Sequence, residues 1–344
     1  MTRKLENTLY VTNEEAYLRK RQDIILVFID DEEVLRVPGL HLGGIVLLGR
    51  AGISYQALDW CARNDVTVTR LDRNGRFIGN WIGPVSGNVK LRVDQYKKLD
   101  KEEQVLGLSI DFLKGKIFNC RSNLLRSARD IDDVEKEELL RKNSSQLQKL
   151  INLLDGGESL EEIRGFEGRA AKVYFSSFNA MILDKSSSFE FTGRKKRPPR
   201  DNVNAMLSYL YVLLCHDCRS GLEGVGLDPQ VGYLHAIRPG KPALALDLME
   251  ELRPILVERS VITLINREQV KEKDFNKKPG GAIEMTEECR KTIIKHYQQK
   301  KLEEVYHPVL EKKVPYGLIP HIQARFLARA IRGDIDYYPA FLYQ

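Results

Sequence analysis

The chain of 344 residues lacks a segment apolar and long enough to act as an anchor or an export signal. Its opening, MTRKLENTLYV, is charged and has no apolar centre of signal-peptide length. The longest mainly apolar run, Ala205 to Cys215, is too short to span a bilayer and is interrupted by Ser208. A cytoplasmic protein without membrane association is the expectation. Cysteine is scarce as well. Five cysteines, an odd number at irregular spacing, argue against a disulfide framework and suit reduced thiols. Cys215 and Cys218 in CHDC have the spacing of half a zinc site, but no second Cys or His pair completes it, and the segment reads as the end of a buried helix. Charge of one sign is nearly absent in the net: 54 Lys and Arg against 48 Asp and Glu leave +6. That excess alone does not argue for a nucleic-acid partner; its placement decides. No internal repeat occurs.

What is present is a soluble, globular composition, with 42% hydrophobic and 30% charged residues, in a chain long enough for one large or two ordinary domains. The first eighty or so residues are β-rich. TLYV, DIILVFID and GGIVLLG are short apolar or β-branched runs between turns, and VTVTRLDRNGRFIGNWIG reads as two strands around Asn74-Gly75. One short helix, about Ser54 to Asn64, interrupts them. After GPVSGN, Gly83 to Asn88, long stretches at helical spacing take over. The expected fold is α+β: a small β-rich domain over 1–85, then a larger all-α domain over 86–344.

Chemistry concentrates in two stretches. In EEIRGFEGRAAKVYFSSF, Glu161 to Phe178, the residues Ile163, Glu167, Ala170, Ala171 and Tyr174 share a helical stripe, which puts Glu167 within an apolar face. Gly165 and Gly168 flank it, and together they leave room for another backbone to come close. A carboxylate so placed needs a cation. A metal ion would serve, and so would a salt bridge to Arg164 or Arg169; this segment does not choose. In YLHAIRPGKPALALDLMEELRP, Tyr233 to Pro254, a helix is expected from Leu244 to Arg253. Asp247 and Glu250, three apart, fall on one face; Asp247 and Glu251, four apart, do so nearly as well, and spacing leaves both pairs open. A single histidine beside a turn is more often structural, and two acids are often a solvated edge. In combination, one imidazole with two or three carboxylates suits Mn²⁺, or Mg²⁺ with waters kept, better than structural zinc. Such an open site polarises a phosphoryl oxygen. GRKKRPPRDN sets five cations among the seven positions 194–200, either as a solvated loop or as a track for phosphates, and Arg238 and Lys241 add charge after His235. Acid-rich metal chemistry beside basic loops points to phosphodiester chemistry.

Three blocks in this order, RGFEGRAAKVYF, GRKKRPPRDNVNAMLSYLY and VGLDPQVGYLHAIRPGKPALALDLMEELRP, together with the N-terminal NTLYV, resemble the CRISPR-associated endonuclease and integrase Cas1. The resemblance covers nearly the whole chain and looks most like the subtype I-C branch. It implies a β-rich N-terminal domain for scaffolding and dimerisation, a helical catalytic domain, a homodimer, and a complex with the small companion protein Cas2. It implies a divalent ion, Mn²⁺ or Mg²⁺, held by Glu167, His235 and Glu250, with Asp247 as the nearby acid; many relatives carry aspartate where Glu250 stands. The implied reaction joins the 3′-hydroxyl of a short foreign double-stranded DNA to a phosphodiester at the CRISPR repeat boundary. Arg194, Lys195, Lys196, Arg197, Arg200, Arg238 and Lys241 would then position backbone phosphates without reading sequence. Two rival readings are a stand-alone metal-dependent DNA nuclease and a non-catalytic DNA-binding scaffold whose acids only form salt bridges.

Overall fold

The computed structural model describes residues 7–64, 66–72, 77–83, 89–183, 187–195 and 198–343. The chain divides into two compact units, Met1–Ser86 and Gly87–Gln344. The first carries β1 (Asn7–Val11), β2 (Tyr17–Arg21), β3 (Ile24–Ile29), β4 (Glu32–Pro38), β5 (Leu42–Leu48), β6 (Gly52–Ile53), α1 (Tyr55–Arg63), β7 (Thr67–Leu71) and β8 (Phe77–Trp81). One sheet has the order β1-β5-β7-β8, with the first three strands parallel and β8 antiparallel to β7; the other has the order β4-β3-β2-β6. Apolar side chains from both sheets and from α1 meet in one core, including Leu18, Ile25, Val27, Ile45, Leu47, Ala57, Cys61 and Val68. The β3–β4 hairpin turns at Asp30 and Asp31, both at positive φ (51° and 59°), as a two-residue type I′ turn requires. Strands β2 and β4 carry little apolar pattern; β4 is exposed along nearly its whole length, so its pairing comes from the backbone ladder to β3. The Asn74-Gly75 turn lies outside the described residues, and β7 and β8 pair antiparallel on either side of it, Val68 opposite Trp81.

The second unit carries α2 (Val89–Lys98), α3 (Glu102–Arg129), α4 (Val134–Leu154), α5 (Leu160–Ser176), α6 (Phe178–Met181), α7 (Asn202–Val225), α8 (Ala243–Met249), α9 (Arg259–Asn266), α10 (Glu287–Leu302) and α11 (Ile319–Arg332). It is not purely helical. Two short antiparallel ribbons interrupt it, β9 (Phe275–Lys277) with β10 (Ile283–Met285), and β11 (Glu304–His307) with β12 (Lys312–Pro315). The 24-residue α7 is the apolar centre. The Asp201 carboxylate accepts from Asn204 N (2.7 Å) to cap its start, and Gly226 at φ 90° ends it. CHDC therefore lies inside α7 rather than at its end. Burial raises the Cys215 thiol to about 11 and also raises that of Cys218. Among the described residues no helix is long and apolar enough to cross a membrane.

The helix expected from Leu244 to Arg253 stops at Met249. Residues Arg253–Glu258 then form a widened π-helical turn leading into α9. Pro254 has no N–H to continue an α-helical ladder, and single π turns of this kind gather at functional positions.

Candidate metal and phosphodiester site

The site is assembled by α3, α5, the turn before α8, and the chain from α8 into the π turn. Asp247, fully buried on α8, organises the turn. Its carboxylate accepts from the backbone N–H groups of Tyr233 (2.6 Å), Leu234 (3.1 Å) and His235 (2.9 Å). The same oxygen that takes the His235 N–H lies 2.7 Å from His235 Nδ1. A carboxylate accepts, so Nδ1 is the donor, and the imidazole keeps its Nε2 free of a proton in the neutral ring. The turn fits only because residue 232 is glycine: a Cβ there would sit 2.7 Å from Asp247 Oδ2 and 2.6 Å from the Ala243 backbone. From α5, Arg164 donates through Nε (3.2 Å) and Nη2 (2.6 Å) to the Leu234 carbonyl, which fixes the residue just before His235.

Glu250 follows α8, and its side chain is fully buried. His235 Nε2 faces its Oε1 at 3.7 Å, too far for a hydrogen bond. Lys116 from α3 reaches between the two acids, with Nζ 2.6 Å from Glu167 Oε1 and 2.8 Å from Glu250 Oε2. Arg253 Nη1 stands 2.9 Å from Glu250 Oε1. Burial pushes the Glu250 carboxyl up, but Arg253, Lys116 and His235 together outweigh it and bring it down to about 2. Burial opposes the Lys116 charge too, and Glu250 and Glu167 more than offset it, so the ammonium holds its proton more tightly than usual. Behind them Glu258, on the π turn, accepts from Tyr211 OH (2.6 Å), and burial raises its carboxyl.

Sequence reasoning placed Glu167, His235, Asp247 and Glu250 in one cluster, and the structure brings those four together. The salt-bridge partner of Glu167 is Lys116, not Arg164, which is bound to Leu234, or Arg169, whose guanidinium stacks on Phe166 (4.7 Å). Gly165 and Gly168 do not receive a neighbouring backbone: a Cβ on either would meet nothing within 4 Å. Glu251 turns away from His235. It accepts from Tyr338 OH (2.5 Å), Phe341 N (2.6 Å) and Gln323 Nε2 (3.1 Å). Lys116, Arg253 and Glu258 were missed. The signal for Lys116 was a cation on the stripe of α3 that also buries Phe112, Cys120 and Asn123.

The basic residues divide. Arg194 turns inward, donating to Asn204 Oδ1 (2.6 Å) and Ser208 Oγ (3.1 Å) and lying over the Tyr211 ring, so it braces α7 instead of standing free for phosphate. Lys195, Arg200 and Arg238 are exposed and Lys241 is half-buried. Lys196 and Arg197 lie outside the described residues.

A small divalent ion fits the donors at this point. Both Glu250 oxygens are buried and make no contact with hydrogen-bond geometry, although cations stand within 2.9 Å. The distances show charge pairing of a buried carboxylate with Lys116 and Arg253. Among the described residues no three acidic, His or Cys groups already stand at ligand spacing, and the Lys116 ammonium lies between Glu167 and Glu250. Carboxylate oxygens with one imidazole nitrogen are the donor set of Mn²⁺ or Mg²⁺.

Fold and site define the class: a two-unit α+β protein whose helical part gathers buried acids and an imidazole around the Lys116 ammonium. The family described as CRISPR associated protein Cas1 matches residues 9–299. The "CRISPR-associated endonuclease Cas1 1" of Moorella thermoacetica is 43% identical over 340 residues, 99% of each chain. Two solved structures share the fold. A "Casposase bound to integration product" has a TM-score of 0.82 at 22% identity, covering 98% of this chain and 94% of that one. A "Cas6-RT-Cas1–Cas2 complex" has a TM-score of 0.81 at 23% identity, covering 100% of this chain and 37% of that one. The chain belongs to the Cas1 family.

Proposed function

We propose that this protein is the endonuclease and integrase of CRISPR adaptation, inserting short foreign DNA at the CRISPR repeat by strand transfer that depends on Mn²⁺ or Mg²⁺. The observation that carries the reading is the pair of carboxylates, Glu167 and Glu250, sharing one cation, with His235 Nε2 3.7 Å from Glu250. Glu167, Glu250 and His235 are the residues that would hold the ion. When bound, the ion supplies Lewis-acid stabilisation of the charge that develops on the phosphoryl group. The chain does the rest. Asp247 fixes the imidazole tautomer, Arg164 and Gly232 hold the turn that carries it, and Arg253 keeps Glu250 ionised. In strand transfer the oxygen of a DNA 3′-hydroxyl gives up its proton and forms a bond to phosphorus at the repeat boundary, the existing P–O bond breaks, and the departing 3′-oxygen takes a proton. The number of phosphodiesters is unchanged. Exposed Lys195, Arg200 and Arg238, with half-buried Lys241, would be the cations that meet backbone phosphates.

The finer parts of the reading follow the resemblance: a subtype I-C protein, cytoplasmic, acting as a homodimer with a Cas2-type companion, its β-rich unit serving as scaffold and dimer contact. Short duplexes incubated with a repeat-bearing plasmid, the protein, the companion and Mn²⁺ should become covalently joined to the repeat, and Glu167→Ala should abolish joining while the fold survives. Cutting without joining would make the protein a stand-alone nuclease. Binding without either would leave a DNA scaffold.

A further inference from the structure

In the cluster described above a cation is already in place, and it belongs to the chain. Lys116 Nζ touches Glu167 on α5 and Glu250 after α8. Its side chain is only 11% exposed, so water does little to screen these contacts. Two carboxylates drawn to one point repel each other, and a buried acid left without a partner is costly. The ammonium removes both problems for as long as no metal ion is present. Lysine suits this role because its charge is compact and its four-carbon stem is flexible. Arginine could not leave as readily: Arg253, whose guanidinium is additionally stacked over Tyr211 (5.1 Å), is the fixed cation of the site. An ammonium bridging both acids and a divalent ion ligated by both acids require the same space and the same negative charge.

We propose that Lys116 is a tethered stand-in cation, which holds Glu167 and Glu250 together in the metal-free protein and is expelled from between them when the divalent ion binds. The inference rests on the reading of Glu167 and Glu250 as metal ligands. It assigns Lys116 a positioning role: it keeps the acids folded toward one another and sets how strongly an ion must bind to replace it.

The test is Mn²⁺ binding to the full-length protein without DNA, followed by the electron paramagnetic resonance signal of free Mn²⁺, with melting temperatures measured in parallel. Lys116→Met keeps the stem and removes the charge. It should melt below the wild type without metal, gain more in melting temperature from Mn²⁺, and bind Mn²⁺ on the order of tenfold more tightly. Glu167→Gln should weaken Mn²⁺ binding. If Glu167→Gln weakens the ion but Lys116→Met binds it no better than wild type, Lys116 is not its competitor and the inference is overturned. If Glu167→Gln leaves Mn²⁺ binding unchanged, the ligand assignment itself falls. Should Lys116→Met not fold, Mn²⁺-soaked crystals of the wild type decide. An ion between the acids with Nζ withdrawn from at least one of them supports the exchange, and an ammonium still bridging both refutes it.

Discussion

Asp247 and Glu250 lie three residues apart, both fully buried, and meet opposite partners. Asp247 receives three backbone N–H groups and an imidazole N–H, whereas Glu250 receives only cations. The first arrangement spends its lone pairs on the turn that carries His235; the second leaves them available. The two acids should therefore fail differently. Asp247→Asn puts an amide N–H where donors already converge, loosening the imidazole, and should lower strand transfer by about 10–100-fold while leaving activity that high Mn²⁺ rescues. Glu250→Gln leaves Lys116 and Arg253 facing Glu167 alone, costs about 3–5 kcal/mol of stability, and should abolish strand transfer at any practical metal concentration. Strand-transfer rates at rising Mn²⁺, with circular dichroism to confirm folding, compare them. A more damaging Asp247→Asn would exchange the two roles.

At the scale of elements, α3 is the shared wall. Beyond Lys116, its Asn123 donates to the Pro254 carbonyl (2.6 Å) at the π turn, and its Asn119 donates to the carbonyls of Glu251 and Phe341 (2.7 Å each). Glu251 fastens the C-terminal segment from the other side through Tyr338 and Phe341. With no cation against it, burial raises its carboxyl to about 8, although its three donors pull the other way. The ordinary value is 4.5, so between these two pH values the folded protein holds a proton that the unfolded chain has released. Stability from this group is complete below 4.5, declines as pH rises through the window, and is lost above 8. The melting temperature of the wild type should therefore carry a fall between about pH 4.5 and about pH 8, and the neutral isostere Glu251→Gln should flatten that fall. An equal slope in both would leave Glu251 ionised throughout. These elements also show what was legible beforehand. Apolar runs marked β1, β3 and β5, and the helix expected at about Ser54 to Asn64 is α1, because local pattern decides them. Strands β2 and β4, the ribbons of the second unit and the π turn depend on partners distant in sequence, and no local period marks them. Glu167, His235 and Asp247, with either Glu250 or Glu251, could be gathered from charge in apolar stretches, and the resemblance singled out Glu250. Finding Lys116 needed α3 to pack beside α5.

Across the whole molecule, the small net charge of +6 conceals an uneven distribution. Lys116 and Arg253 are committed to the acids of the site, and Arg194 is committed to α7. Lys195, Arg200 and Arg238 are exposed on loops that in sequence precede α7 and α8. Charge on such loops contributes to DNA affinity through release of counterions, without reading bases. Replacing Lys195, Arg200 and Arg238 together by alanine should weaken binding to unrelated duplexes by similar factors. It should also reduce the slope of log affinity against log salt by about 0.9 for each phosphate that is no longer neutralised. Arg194→Ala should behave otherwise. It removes the Arg194 donor from Ser208 Oγ and leaves Asn204 Oδ1 with the Lys195 N–H, and should lower the melting temperature, as loss of a buried hydrogen-bond partner costing about 1–3 kcal/mol does, with little change in the salt slope. Fluorescence anisotropy of a labelled duplex between 50 and 200 mM salt, about the range over which such slopes are resolved, separates the two. A salt slope unchanged in the triple variant removes these loops from the DNA path, and a slope reduced by Arg194→Ala would mean that its guanidinium leaves α7 to meet phosphate.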